Sequence, residues 1–404
     1  MVNGKYEPDF PTEIVHEGKV QVLVPKLEAY GVVPQDYAPS RAPVFYNPIM
    51  EFNRDLTVLA FQAYQRWIGR EISICEPLTS QGVRGIRFAA EIEGVKSVLI
   101  GDINMRAYRM AKHNVSLNGL EKVISVKHRE ASCLLTCNSA PKKRFDIVDI
   151  DPFGTPSPHL DSAVQAIRNN GLLASTATDL APLCGVHSKA CLRKYGGKPL
   201  RTEYCHELAL RLLAGCTTSA AARHEIGIQV LFSHSSEHYI RLYTKIAYGA
   251  GKADESIKNL GYILHCFNCL HREMVSRILD GLVCPECGSK MDWAGPLWIG
   301  SLWNTNFIAA MMAENRTVAF KNSARITKLL NLTNDESAGP PTYYVTDKIS
   351  GKLGLPSQSI QSYIGGLRKN GFSAEPTHFN PRGIRTNATA SEMREIMQKS
   401  NETA

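Results

Sequence analysis

The chain has 404 residues, 44 % of them hydrophobic and 21 % charged. That composition excludes wholesale disorder and predicts two or three globular domains at roughly 150 residues each. An excess of 46 Lys and Arg over 38 Asp and Glu, net +8, fits a polyanionic partner without requiring one. No run reaches the roughly 18–20 apolar residues of a membrane span; the most apolar stretch, Phe307 to Ala313, is far too short. The opening Met1-Val-Asn-Gly-Lys-Tyr-Glu-Pro8 lacks the apolar core of a signal peptide, so a cytoplasmic protein without membrane association is expected. The 11 cysteines are odd in number, which argues against a complete disulfide framework and for a reducing compartment.

Residues 1–53 read as an extended arm with prolines at 8, 11, 25, 34, 39, 43 and 48, broken by one strand-like run, Val20 to Val24. A helix is predicted from Arg54 to Trp67, with Leu56, Leu59, Ala60, Ala63 and Trp67 on one face. An alternation follows: strands at Glu71–Cys75, Ser97–Gly101, Val123–Val126, Phe145–Ile150 and Gly171–Thr176, with helices at Gly82–Ile92, Asn104–Asn118 and Leu160–Asn169. Strands alternating with helices imply a parallel sheet covered on both faces. Ile228–Phe232 and His238–Ile246 are candidates for further strands of that sheet. A Gly-rich patch, Gly249 to Ser256, marks a boundary near 252, and Asn334 to Pro341 marks a second break. Beyond it Val345–Leu353 and Ser357–Asn370 read as two helices, with Gly371 as a C-cap candidate.

Ligands of an open parallel sheet lie beyond the carboxyl ends of its strands. The first strand runs into Glu76-Pro-Leu-Thr-Ser-Gln-Gly82-Val-Arg84-Gly85, small enough for close backbone approach to a ligand at a helix mouth. The second ends in Asp102, placed to accept ribose hydroxyls, and the third leads to Glu130-Ala131, able to border an adenine. Each acid alone is more readily a helix cap or surface charge; on successive strand ends they describe an adenosine-bearing ligand. The chain has no P-loop lysine, which disfavours ATP hydrolysis.

The fourth strand ends in Asp149-Ile-Asp151-Pro152-Phe153-Gly154. One reading is a helix N-terminus with an Asp cap and a following proline. The other is chemical. An exocyclic aromatic amine is a poor nucleophile because its lone pair is delocalised into the ring. A fixed acceptor, either the Asp151 carboxylate or nearby backbone carbonyls, would hold its N–H groups and direct the lone pair at an electrophilic methyl. Pro152 stiffens that turn, and Phe153 offers a ring against which an extruded base stacks.

The order of glycine loop, Asp102, Glu130 and Asp-Pro-Phe resembles class I S-adenosylmethionine-dependent methyltransferases. More narrowly, the chain resembles the archaeal-type tRNA (guanine-N2)-dimethyltransferases that modify guanine 26. The resemblance is carried by Glu17-Gly-Lys, Phe45-Tyr-Asn-Pro, Asn53-Arg54-Asp55, Gly82-Val-Arg84-Gly85-Ile-Arg87, the run from Asp149 to Pro156, Thr178 to Gly185, and Thr377 to Thr386. It implies methyl-donor contacts from Arg54, Arg84, Asp102, Glu130 and Ala131, with Asp151 as the catalytic acceptor. It also implies Phe45 and Phe153 as stacking partners of the base, with Pro152 on the substrate side.

Cys266-x2-Cys269 and Cys284-x2-Cys287, fourteen residues apart, have the spacing of a zinc ribbon. Four thiolates close a tetrahedron, so the ion would be structural; His265 and His271 remain alternative ligands. Basic residues cluster from Arg316 to Lys328 and again from Lys348 to Arg385, which is either a solvated face or a phosphate-binding surface. The C-terminal helix pair resembles a helix-turn-helix or winged-helix reader, although an ordinary antiparallel pair would look the same. The Arg-bearing run from Thr377 to Thr386 is placed to follow a phosphate backbone.

The expected fold is α/β: a Rossmann-like class I methyltransferase domain, then a zinc ribbon and a smaller α+β C-terminal domain. The expected boundaries are an arm at 1–53, the methyltransferase at 54–252, the ribbon at 253–299 and an RNA-docking domain at 300–404. The expected protein is a monomeric tRNA methyltransferase that uses S-adenosylmethionine and structural Zn2+. The alternatives are a methyltransferase for another RNA or DNA amino group, and a non-catalytic nucleic-acid-binding module.

Overall fold

The structure, a computed structural model, describes residues 6–31, 38–279 and 281–402. Pro34 and the first five residues lie outside the described residues. The chain divides into two compact units. The first holds the described residues up to Pro152, His159–Ser175 and Ala309–Thr327; the second holds Phe153–Pro158, Thr176–Ile308 and the chain from Lys328 onward.

The first unit opens with an antiparallel hairpin, β1 (Thr12–Glu17) and β2 (Val20–Pro25), turning at Gly18 with φ +55°. Sequence patterning finds only the second of these strands. In β1 just Glu17 is buried, so no apolar alternation marks it. Helix α1 (Glu51–Ile68) closes on left-handed Gly69 and buries Leu56, Leu59, Ala60 and Ala63. Trp67, expected on the same face, is instead half exposed in the last turn.

Then come β3 (Ile72–Glu76), α2 (Val83–Glu91), β4 (Val95–Asp102), α3 (Met105–Leu117), β5 (Ile124–His128), α4 (Ala131–Thr136), β6 (Phe145–Ile150), α5 (Leu160–Ala166) and β7 (Ile167–Ala177). Within this unit the strands pair in parallel in the order β5-β4-β3-β6-β7. All six residues of β6 are buried, as a strand covered on both faces requires. The helix expected to reach Asn169 stops at Ala166, where buried Ile167 pairs with Phe145 and Arg168 forms an ion pair with buried Asp146 at 2.8 Å. The chain passes from β3 outward through β4 and β5, then returns to β6 on the other side of β3. The switch point of the sheet therefore lies between β3 and β6, where a crevice for ligands forms.

The second unit comprises α6 (Leu180–Leu183), α7 (Ser188–Tyr195), α8 (Cys205–Ala222), the antiparallel pair β8 (Ile226–Ser236) and β9 (Tyr239–Tyr248), and α9 (Ala250–Ile257). A sheet of order β11-β10-β12 follows, from β10 (Leu260–His265), β11 (Arg272–Val275) and β12 (Asp292–Trp298). Helices α10 (Thr305–Asn315) and α11 (Ser323–Glu336) contribute residues 309–327 to the first unit. The chain ends with β13 (Tyr344–Val345), α12 (Thr346–Leu353), α13 (Ile360–Lys369), β14 (Ala374–Thr377), β15 (Asn380–Thr386) and α14 (Ala390–Glu402). Helix, helix and hairpin pack around Tyr363, Leu367, Ile384, Met393 and Met397, in the element order of a winged helix.

Three sequence expectations change here. The Gly249–Ser256 patch, expected to mark a boundary near 252, lies in helix α9 with Gly249 as its N-cap. It lies so close to β8 that a Cβ on Gly227 would sit 2.2 Å from the Lys252 carbonyl oxygen. The Asn334–Pro341 break begins inside α11, whose Glu336 is fully buried and paired with Arg385 at 2.9 Å. Arg385 also pairs with Glu207 of α8 at 2.8 Å, and Glu207 pairs with Arg211 at 2.8 Å. The Thr377–Thr386 run contributes buried Thr377 and Arg385 to the core, so Arg385 is not available to a phosphate backbone. Among the described residues, no helix is long and apolar enough to cross a membrane.

Candidate active site

The parallel order of the first unit sets the carboxyl ends of its strands on one edge, and the sequence places an acid at or just beyond four of them. Glu76 ends β3, Asp102 ends β4, Glu130 follows β5 and Asp151 follows β6. Between β3 and β6 stands Arg84, on the first turn of α2 and 4 % exposed. Its Nη2 donates directly to Asp151 Oδ2. The same guanidinium lies 3.6 Å from Asp149 and 3.9 Å from Glu76, and its Nη1 donates to Asn53 Oδ1 at 3.3 Å and Thr57 Oγ1 at 3.1 Å. Burial pushes the Glu76 carboxyl well above its usual range, opposed by Arg84 and reinforced by Asp149 and Asp151. Gly85 is required by close approach, because a Cβ there would lie 2.4 Å from Ile100 Cγ2 and 2.8 Å from Glu76 Oε2.

Asp102 is fixed by backbone. The Ser80 N–H donates to Oδ2 and the Asn104 N–H to Oδ1, each at 2.8 Å. Burial raises its pKa, against the lowering effect of those donors. Ser80 takes a left-handed φ of +52°, and its hydroxyl donates to the Phe45 carbonyl at 2.6 Å. Asn104 Nδ2 donates to the Pro43 carbonyl at 2.9 Å. The structure thus brings the Phe45 segment onto the Asp102 strand end, with the Phe45 ring partly exposed.

Glu130 is the N-cap of α4 and accepts from Ser132 N–H at 2.9 Å and Cys133 N–H at 2.7 Å. Burial works against its charge, but these two donors outweigh it and hold the carboxyl below the usual range. Ala131, next to it, is buried. Asp102 and Glu130 are thus both oriented by backbone donors on neighbouring strand ends. That fits a ligand presenting a pair of hydroxyls.

Arg54 is placed differently from Arg84. It is buried, its Nε and Nη2 bind Glu17 of the N-terminal hairpin, and its Nη2 reaches the Asn47 carbonyl at 3.2 Å. Glu17 also binds Arg87 at 3.0 Å, and Arg87 binds Asp55 and Glu91, each at 2.7 Å. Pro152 is partly buried and ends the first unit. Phe153 opens a segment of the second unit and is 76 % exposed, an unusual state for so large an apolar ring. In that unit Gly154 N–H donates to Thr178 Oγ1 at 2.8 Å and Thr178 N–H returns to Gly154 O at 2.9 Å, which fixes the backbone beside Phe153.

Sequence reasoning gave no site role to Asn53, Thr57 or Ser80, although Asn53 stands in a run that carries the family resemblance. Asn53 and Thr57 lie one turn apart on α1, so the polar pair inside an otherwise buried helix was the available signal. Ser80 holds Asp102 through its backbone N–H and the Phe45 segment through its hydroxyl, a pairing across 35 residues that no local pattern reveals.

In the second unit, Cys266, Cys269, Cys284 and Cys287 bring their sulfurs within 4.8 Å of one another, with Cys266–Cys287 at 3.5 Å and Cys269–Cys284 at 3.4 Å. Tetrahedral Zn–S bonds of about 2.3 Å separate sulfurs by roughly 3.8 Å, so the four thiols fit zinc. The two candidate histidines lie outside this four-sulfur group, with His265 Nδ1 at 3.1 Å from the Tyr204 hydroxyl and His271 Nδ1 at 3.1 Å from Glu286.

Comparison with known proteins settles the lineage. The model of the family of N2,N2-dimethylguanosine tRNA methyltransferases matches residues 18–398. The chain belongs to this family. It is 44 % identical over 384 residues to the tRNA (guanine(26)-N(2))-dimethyltransferase of Methanothermobacter thermautotrophicus, covering 95 % of this chain and 98 % of the relative. It is 36 % identical to the tRNA (guanine(26)-N(2)/guanine(27)-N(2))-dimethyltransferase of Aquifex aeolicus, covering 96 % of each. The structure of Trm1 from Pyrococcus horikoshii with S-adenosyl-L-methionine is similar at a TM-score of 0.82 and 33 % identity, covering 95 % of this chain and 99 % of that one. A dimethyltransferase of this family thus joins a Rossmann-like sheet to a ribbon-like four-cysteine cluster and an α+β end.

Proposed function

We propose that the chain transfers methyl groups from S-adenosylmethionine to the exocyclic N2 of guanine 26 in tRNA, giving mono- and dimethylguanosine. The observation that carries this reading is the Arg84–Asp151 pair at the switch point, with Asp102 and Glu130 on the neighbouring strand ends. Bound there, the donor supplies a methyl carbon made electrophilic by a sulfonium. Asp102 would accept its ribose hydroxyls, Glu130 and Ala131 would border its base, and Arg84 and Arg54 would supply further donor contacts.

Arg84 anchors one oxygen of Asp151 and sets the plane of that carboxylate. So oriented, Asp151 accepts an N–H of guanine N2, pulls its lone pair out of conjugation and holds it in line with the methyl. Pro152 limits the turn and the Phe153 and Phe45 rings stack on the extruded base. Lys and Arg of the C-terminal region would dock the tRNA, so affinity falls with salt. The four cysteines would hold a structural zinc that closes the β10–β12 sheet. We read the chain as a cytoplasmic monomer with an arm at 1–53, a methyltransferase at 54–252, a ribbon at 253–299 and an RNA-docking domain at 300–404. The net charge of +8 and the odd number of cysteines support the tRNA-binding and reducing-compartment readings, and the geometry of the four-cysteine cluster supports the zinc site.

The test is nucleoside mass spectrometry of tRNA incubated with the chain and donor. Methylated N2-guanosine is expected, and a transcript with adenine in place of guanine 26 should lose it. Methylation that survives this substitution at another guanine would assign a different target.

A further inference from the structure

Three ligand-type side chains converge in the second unit, away from the four-cysteine cluster. The sulfurs of Cys184 and Cys205 and a ring nitrogen of His206 all lie within 4.8 Å of one another. The backbone imposes this convergence. Cys184 is the C-cap of α6, and Gly185, at φ +89°, presses on the segment leading to α8: a Cβ there would lie 2.8 Å from Arg201 N and 2.9 Å from the Leu200 carbonyl carbon. Only glycine permits that approach. It delivers Cys184 to the first turn of α8, whose first two residues are Cys205 and His206.

The chemistry of the set is selective. Two thiols and an imidazole suit a borderline-soft cation such as zinc and not magnesium or calcium, which take oxygen ligands. Zinc bonds of about 2.0–2.3 Å put neighbouring ligand atoms roughly 3.5–3.8 Å apart, so side-chain rotation of about an ångström completes the site.

We propose that Cys184, Cys205 and His206 bind a second zinc ion, with its fourth position open to water. The ion ties the Thr178–Gly185 segment to the start of α8. Thr178 is the residue that exchanges two hydrogen bonds with Gly154, so the metal braces the backbone that carries Phe153. The site is independent of the identity of the methylated nucleoside.

The experiment is zinc analysis by plasma mass spectrometry on the full chain purified without chelator, comparing wild type with Cys184→Ser, His206→Gln and Cys269→Ser. Cys184→Ser and His206→Gln are each expected to carry one zinc equivalent fewer than wild type. Cys269→Ser should lose a different one, so that His206→Gln combined with Cys269→Ser loses two. Should Cys184→Ser fail to fold, cobalt substitution decides: the thiolate-to-cobalt absorption of wild type should weaken in His206→Gln. Zinc content unchanged in both Cys184→Ser and His206→Gln overturns the proposal. So does a Cys184–Cys205 disulfide in unreduced, alkylated wild type.

Discussion

Arg84 donates directly to Asp151, and the same guanidinium faces Asp149 at 3.6 Å and Glu76 at 3.9 Å. One buried cation therefore joins the ends of β3 and β6 across the switch point of the sheet. Replacing it leaves three acids facing one another without that shared charge. Arg84→Gln should destabilise the protein by about 3–5 kcal/mol, the usual cost of breaking a buried pair. In the surviving folded fraction, single-turnover methylation should slow by roughly 10²–10³-fold. Arg84→Lys should recover stability in part but not rate, since an ammonium cannot span Asp151, Asn53 and Thr57 together. Wild-type rates in either variant would remove Arg84 from the positioning role.

Gly85 gives a purely steric prediction. In Gly85→Ala the new methyl would meet Ile100 Cγ2 at 2.4 Å and Glu76 Oε2 at 2.8 Å. Both neighbours are buried and packed, so overpacking should cost about 1–3 kcal/mol, visible as a lower urea midpoint at unchanged slope.

Asp102 separates binding from chemistry. Asp102→Ala removes two charge-assisted acceptors, so calorimetry should show donor affinity falling by roughly 10–100-fold. At saturating donor the methyl-transfer rate should change far less. An unchanged donor affinity would place the ribose elsewhere.

Acid should loosen the second unit through Glu207. Burial by itself would raise this carboxyl, but Arg385 and Arg211 outweigh it and hold it at about 2. A group whose folded pKa lies below its unfolded value, here 4.5, contributes its full stability above the unfolded value. That contribution shrinks as pH falls from about 4.5 toward 2. Urea midpoints should therefore decline across this window. Arg385→Met should lower stability by about 3–5 kcal/mol at neutral pH and flatten the acid decline.

Much of the first unit is legible in the sequence because β3 to β7 are short apolar runs punctuated by turns, the pattern a doubly covered parallel sheet requires. The placement of Asp102, Glu130 and Asp151 at or just beyond strand ends is legible for a related reason, since each closes a short apolar run. Helix α8 escapes pattern reading because it is buried on almost every side, leaving no polar face to set a period. Gly249 to Ser256 reads as a boundary since glycine is a poor helix former, yet tertiary packing of α9 on β8 overrides that propensity. Glu336 and Arg385 look like surface charges because their compensation is mutual, across 49 residues of sequence. The Glu17 contacts with Arg54 and Arg87 are hidden in the same way.

The most direct test is Asp151→Asn, which keeps the size of the side chain while removing its charge and reversing the hydrogen-bonding sense of one atom. Donor affinity by calorimetry and single-turnover methylation of tRNA are measured on the same preparation. Retained donor binding with methylation slowed by at least about 10²-fold is the predicted result. A variant that binds donor and methylates guanine N2 at the wild-type rate would contradict the role of Asp151 as the acceptor that orients the amine.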